Sequence, residues 1–159
     1  MRRWLSVVGV LLILAGGAEA APAAPGFLLH LLDGTPFDSR DSIGKEILVL
    51  RFQASYCKPC ARESAALNRV AERYKDRGVR VLAIHVQDTA RDARAFARAQ
   101  KATYTIGLDP RLSVGNRFGF HGTPYTVVID RRGEIVANVH GLSAVARLPK
   151  TLDGLLAKP

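Results

Sequence analysis

The 159-residue sequence has only two cysteines, Cys57 and Cys60, three positions apart. A framework of structural disulfides is therefore excluded, and one bridge closing so short a loop would stabilise little. A zinc site wants about four ligands. Beyond the cysteine pair there are only His30, His85, His121 and His140, scattered along the chain. Acidic residues are also few, 14 Asp and Glu against 23 Lys and Arg, for a formal net charge of +9. A basic chain invites a nucleic-acid reading. Aromatic residues are only 7% of this one, and they form no aromatic-basic binding motif of the kind a single-strand platform needs. The charge reads instead as a basic surface facing anionic or membrane-proximal neighbours. Repeats and low-complexity blocks are absent. The length predicts one domain, large enough to bury a core without disulfide staples.

The apolar stretch from Trp4 to Leu14 is too short to span a bilayer comfortably. It follows the basic Met1-Arg2-Arg3 and precedes Ala18-Glu19-Ala20, a small-x-small cleavage pattern. Residues 1–20 are thus expected to be a signal peptide cut after Ala20, with residues 21–159 forming the domain. Retention as an N-terminal anchor is the alternative. No cysteine lies near the cut, which excludes lipidation of the lipoprotein kind. Arg2-Arg3 matches a twin-arginine signal poorly, so the general secretion route is expected.

After a flexible lead-in, Ala21 to Pro25, the segments Phe27–Leu32 and Thr35–Phe37 flank Asp33-Gly34, a hairpin signal. Ser39–Ile43 reads as a helical turn. Ile47 onward is an apolar, branched run and reads as a buried strand. Pro59–Arg77 reads as a helix ended by Gly78, with Leu67, Val70, Ala71 and Tyr74 on its buried stripe. Val79–Val86 is nearly unbroken apolar sequence, the mark of a strand covered on both faces. Asp88 or Thr89 can cap a helix to about Lys101. Its inner face holds Ala93, Phe96, Ala97 and Gln100; Arg91, Arg94, Arg98 and Lys101 line the outer one. That stripe is a solvated surface or a docking patch for an acidic partner. A strand at Tyr104–Leu108, a short helix at Leu112–Phe118 and a hairpin of Tyr125–Asp130 with Glu134–His140 follow. Pro149 would break a long C-terminal helix, so that helix is expected to start near it. The order is an α/β pattern, with helices on both faces of the sheet.

The cysteines sit where the first long strand gives way to the first long helix. One sulfur then lies at the helix N-terminus and the other one turn on, on the same face. The N–H groups and partial positive charge of a helix N-terminus stabilise a thiolate. Lys58 adds a cation, and Pro59 suits the first turn. Cys57 is the expected nucleophile and the more exposed sulfur. Cys60, in line with Ser64 and Leu67, points to the core as a resolving thiol.

Phe52-Gln53-Ala54-Ser55-Tyr56-Cys57-Lys58-Pro59-Cys60 resembles the active-site run of thioredoxin-fold proteins. It is most similar to the exported TlpA/ResA/CcmG-like thiol–disulfide oxidoreductases, whose run is Phe-Trp-Ala-x-Trp-Cys-x-Pro-Cys. The resemblance extends over residues 26–157. It implies a thioredoxin-like α/β/α sandwich with an N-terminal β-hairpin extension. It also implies that Gly122-Thr123-Pro124-Tyr125-Thr126 carries a cis proline beside the reactive sulfur, leaving the Thr123 backbone free to pair with a substrate strand. Glu63 occupies a position where the family often has a glutamate thought to assist proton movement; it could accept a proton from Cys60. The alternative is a surface glutamate countering Arg62 or Lys58.

Three departures qualify the resemblance. Arg51 stands where thioredoxins proper have a buried acid, and its charge either lies near the site or snorkels outward. Gln53 and Tyr56 replace tryptophans; Tyr56 keeps an aromatic substrate contact beside Cys57 and Gln53 does not. His121, three residues before Pro124, reads as a surface or core-edge histidine, with approach to the sulfurs as the alternative. Peroxidase chemistry of the peroxiredoxin kind is disfavoured, because Leu50 and Ala54 hold the positions where Pro and Thr are wanted.

The expected function is a periplasmic disulfide reductase. Its catalytic residues would be Cys57, Cys60 and Glu63, and Tyr56, Thr123 and Pro124 would bind substrate. No metal and no cofactor beyond the dithiol are expected. Disulfides persist outside the cytosol, so the electrons would come from an inner-membrane thiol donor. The substrates would be exported proteins, with cytochrome c maturation among the roles the resemblance implies. An oxidase or isomerase is the first alternative. A redox-linked binding module, holding a metal or partner without turnover, is the second. The sequence leaves the oligomeric state open.

Overall fold

The structure, a computed structural model, describes residues 21–157. The expected signal peptide lies outside the described residues. Among those described, no helix is long and apolar enough to cross a membrane.

Among the described residues, seven strands form one mixed sheet. They are β1 (Leu28–Leu31), β2 (Pro36–Asp38), β3 (Ile47–Gln53), β4 (Val79–Val86), β5 (Thr105–Asp109), β6 (Tyr125–Ile129) and β7 (Ile135–His140), in the order β2-β1-β5-β4-β3-β6-β7. β3 lies parallel to β4, and β4 to β5, while β6 runs antiparallel to β3. The helices are α1 (Lys58–Tyr74), α2 (Ala90–Ala99) and α3 (Ala144–Leu156). This is the α/β pattern expected from the sequence.

All seven residues of β3 are buried, as its apolar character demands. Its alternation divides the core. Ile47 and Val49 join Val81, Ala83 and Val128 beneath α1 and α3, where Leu67, Val70, Tyr74, Val145, Leu148 and Leu152 close the layer. Leu48, Leu50 and Phe52 belong to the other cluster, with Leu82, Ile84, Val127, Ile129 and Phe96 of α2. There the aromatics interlock: Phe118 meets Phe27 edge-on, with centroids 5.7 Å apart, and Phe52 stacks on Tyr125 at 5.6 Å.

Local signals act as their chemistry requires. Gly34 at φ 89° turns the first hairpin and Gly133 at φ 80° the second. α1 gives way to a 3-10 turn, Lys75–Arg77, that ends on Gly78 in the left-handed region. Of the two candidate caps, Thr89 starts α2, its hydroxyl accepting from the Asp92 N–H at 3.2 Å. Asp88 is buried and used elsewhere. Arg91, Arg94, Arg98 and Lys101 are exposed.

Two expectations are corrected. α3 begins at Ala144 and runs through Pro149. The proline removes one ladder bond, but Val145, Leu148 and Leu152 are buried on both sides of it, and this packing holds the helix together. The lead-in is also tied down. Ala24 donates to the Gly133 carbonyl and Ile135 to the Pro22 carbonyl, each at 2.8 Å, so Pro22–Ala24 adds a short strand-like rung beside the β6–β7 turn.

Candidate active site

β3 ends at Gln53, and a three-residue loop, Ala54-Ser55-Tyr56, delivers the chain to α1. The Cys57 N–H donates to the Ala54 carbonyl at 3.0 Å, which closes the turn. Cys57 is then the N-cap of α1: its sulfur accepts from the Cys60 N–H at 3.2 Å. A sulfur so placed faces the unpaired N–H groups and positive end of a 17-residue helix. Pro59 occupies the first turn. Cys57 and Cys60 are joined as a disulfide, Cα to Cα 5.2 Å. Both are largely covered, Cys57 5% exposed and Cys60 2%. Cys57 is thus the slightly less covered residue of the two, and Tyr56 next to it is 63% exposed. Cys60 shares its buried helix face with Ser64 and Leu67.

The Thr123–Pro124 bond is cis. Antiparallel register sets Tyr125 opposite Phe52, so Pro124 lies at the same end of the sheet as the cysteine loop. The Pro124 carbonyl accepts from the Gly141 N–H at 2.7 Å, which ties this loop to the chain leaving β7.

The structure gives Glu63 a partner other than the two that the surface reading named. Its carboxylate pairs not with Arg62 or Lys58 but with the guanidinium of Arg51. Arg51 points inward from β3 and also donates to Thr126 Oγ1 at 2.9 Å. The second Glu63 oxygen accepts from the Ser143 N–H at 3.3 Å, at the start of α3. Burial draws the Arg51 pKa down, against the pull of Glu63. A guanidinium still keeps its proton under these conditions. The group therefore joins β3, α1, β6 and the start of α3 through one buried charge pair.

A second buried polar group lies under the loop. Gln53 Nε2 and His85 Nε2 are 2.9 Å apart, and His85 Nδ1 is 2.7 Å from Asp88 Oδ2. Asp88 accepts from both the N–H and the hydroxyl of Ser55, each at 2.7 Å. Burial lowers the pKa of His85, so the ring is neutral. With Nδ1–H donating to Asp88, Nε2 accepts from the Gln53 amide. Sequence reasoning missed this group. The signal was a parity: Arg51 and Gln53 interrupt an apolar strand two residues apart, and polar side chains in a buried strand need partners.

His121 does not join the sulfurs. Its ring stacks on His140, centroids 3.6 Å apart, and His140 stacks on Tyr125 at 3.7 Å. Partial burial and the neighbouring His121 lower the His140 pKa. Among the described residues, no three His, Cys, Asp or Glu side chains group so as to hold a metal.

Comparison with known proteins agrees with this chemistry. The AhpC/TSA family matches residues 21–138. The thiol–disulfide oxidoreductase ResA of Halalkalibacterium halodurans is 30% identical over 75% of this chain and 67% of its own length. ResA of Geobacillus thermodenitrificans is 30% identical over 83% of this chain and 75% of its own length. The crystal structure of a putative thiol:disulfide interchange protein DsbE from Chlorobium tepidum superposes with a TM-score of 0.79 at 26% identity, covering 87% of this chain and 99% of that one. With these matches and a Cys57–Cys60 disulfide at the head of α1 in a thioredoxin-like fold, the chain belongs to the AhpC/TSA family and to the TlpA/ResA/CcmG-like thiol–disulfide oxidoreductases.

Proposed function

We propose that this oxidoreductase works as a disulfide reductase on exported proteins in the periplasm. The observation that carries the exchange chemistry is the placement of Cys57 as the cap of α1, with Cys60 buried behind it, and the reducing direction is what the family resemblance implies. In the reduced protein, the Cys57 thiolate attacks one sulfur of a substrate disulfide. A mixed disulfide forms and the substrate's other sulfur leaves as thiolate. Cys60 then gives up its proton and attacks Cys57 Sγ. The internal disulfide forms, the second substrate sulfur leaves, and two electrons have passed to the substrate. Glu63, one turn beyond Cys60, is proposed to accept the Cys60 proton. Tyr56 and the backbone at Thr123 and Pro124 are proposed to hold the substrate segment.

A reductant outside the cytosol needs resupply. An inner-membrane thiol donor fits this need, and apocytochrome c fits as a substrate class. The signal peptide expected at residues 1–20 from the sequence is what supports the location. Lys58 is exposed beside Cys57, and its charge favours the thiolate enough to keep an oxidase or isomerase as the second reading.

The deciding experiment is the equilibrium reduction potential of Cys57–Cys60 in residues 21–159, titrated against thiol buffers and read by alkylation. A potential near about −270 mV supports the reductase; one near about −120 mV makes the protein an oxidant.

A further inference from the structure

We propose that Asp88 is a positioning residue for Cys57, clamping Ser55 so that the loop after β3 sets the nucleophile on the axis of α1. The inference rests on the dithiol chemistry alone and is independent of the direction of electron flow.

Four observations meet at this carboxylate. First, Asp88 holds the loop at two points of one residue, the N–H and the hydroxyl of Ser55, two positions before Cys57. With the Cys57 N–H on the Ala54 carbonyl, both ends of the turn are fixed. Second, Asp88 is itself held. His85 fills one side of its carboxylate, and Gln53 fixes the far edge of the His85 ring. The ring also packs edge-on against Phe96, centroids 5.2 Å apart. Gln53 and His85 face each other in register across β3 and β4, so the clamp is anchored in the rigid centre of the sheet. Third, the backbone is bent to bring the carboxylate in. Gln87, just before Asp88, has φ 54°, a left-handed conformation that a residue with a Cβ rarely adopts. Strain of this kind persists where surrounding contacts over-determine it, and it clusters at functional sites.

Fourth, the cluster is not the arrangement that stability alone favours. Asp88 and His85 side chains are 3% and 0% exposed. Apolar residues of similar volume in such a place are often neutral or more stabilising than a buried polar pair. What a hydrophobic replacement could not do is accept from the N–H and hydroxyl of Ser55. Gln53 supplies the end of this hydrogen-bond chain.

The test compares Asp88→Asn, Ser55→Ala and Tyr74→Phe in the reduced protein. Cys57 reactivity is read as the rate of alkylation, and of attack on a small model disulfide, across pH. Two physical effects oppose each other in Asp88→Asn. Removing a nearby negative charge alone favours the thiolate and lowers the midpoint of the rate–pH curve. Loosening the loop takes Sγ off the helix N-terminus, raises the midpoint and slows attack. The proposal expects the second result, with attack slowed at least about tenfold, within the roughly 100-fold that a 1 Å misplacement can produce. Ser55→Ala keeps the N–H bond and should show the same direction with a smaller slowing. Tyr74→Phe removes hydrogen bonds to Asp153 and the Pro149 carbonyl at the other end of α1, and should leave the curve unchanged. A midpoint for Asp88→Asn that stays put or falls, with unslowed attack, overturns the proposal. Should Asp88→Asn fail to fold, Ser55→Ala decides: a curve superimposable on that of the parent protein overturns it.

Discussion

Arg51, with 1% of its side chain exposed, pairs with Glu63 across twelve positions of sequence, and the pair joins the strand before the dithiol to the helix that carries it. A buried charge without its partner is worse than no charge at all. Arg51→Met should therefore destabilise the fold by about 1–3 kcal/mol, because the part-buried Glu63 loses its ion pair and Thr126 Oγ1 its donor. The double variant Arg51→Met with Glu63→Leu should lose less than Arg51→Met alone. Urea unfolding of the two singles and the double closes the cycle. Costs that simply add would show that the two groups do not depend on each other.

Stability should fall on the acid side of neutrality through His85. The folded protein holds this ring neutral, its pKa lowered by burial from the ordinary 6.5. The unfolded chain takes up its proton near that ordinary value. Between the two values the unfolded state binds more protons, so stability is complete above 6.5 and declines as pH falls below it. Gln53, Asp88 and Phe96 face the ring. The Asp88 carboxylate opposes the shift without reversing it. NMR titration should show His85 keeping its neutral signals at pH 6.5, and an ordinary midpoint there would contradict this account.

Tyr56 should matter to substrates and not to the fold. Its ring is 63% exposed beside Cys57. Tyr56→Ala should change stability by less than about 0.5 kcal/mol. Turnover of a protein substrate should drop about fivefold, the equivalent of 1 kcal/mol of contact. Turnover of a small disulfide should not change. Equal losses on both would place Tyr56 in the chemistry rather than in substrate contact.

Gly107 marks a close approach between β5 and the N-terminal hairpin. A Cβ there would fall 2.5 Å from Leu29 Cδ1. Leu29 is buried, so its side chain has little room to retreat. Gly107→Ala should cost about 1–3 kcal/mol by overpacking. Adding Leu29→Val should recover part of that loss, as seen in the shift of the denaturation midpoint.

Much of the fold could be read in advance because periodicity and turn chemistry are local. β4 runs from Val79 to Val86 in both sequence and structure. The stripe of Leu67, Val70, Ala71 and Tyr74 is buried as its spacing implies. Cys57 and Cys60 could be placed because a strand end and a helix start bracket them. The partners of Arg51, Glu63, Gln53 and His85 could not, because strand register and helix packing fix them and neither is local. Pro149 misled for a related reason: propensity predicts a helix start there, and tertiary burial on both sides overrides it.

The rung formed by Pro22–Ala24 has a consequence for how this domain can be mounted. Its partners lie in the β6–β7 turn, and Ile129, just before that turn, is opposite Leu48 near the start of β3. The cysteine loop leaves the other end of β3, seven residues or roughly 20 Å of strand away. The chain therefore enters the domain at the pole opposite Cys57 and Cys60. Anything fastened ahead of Ala21 would meet the molecule from behind, with the exposed Tyr56 and the cysteine loop left at the far end of the sheet.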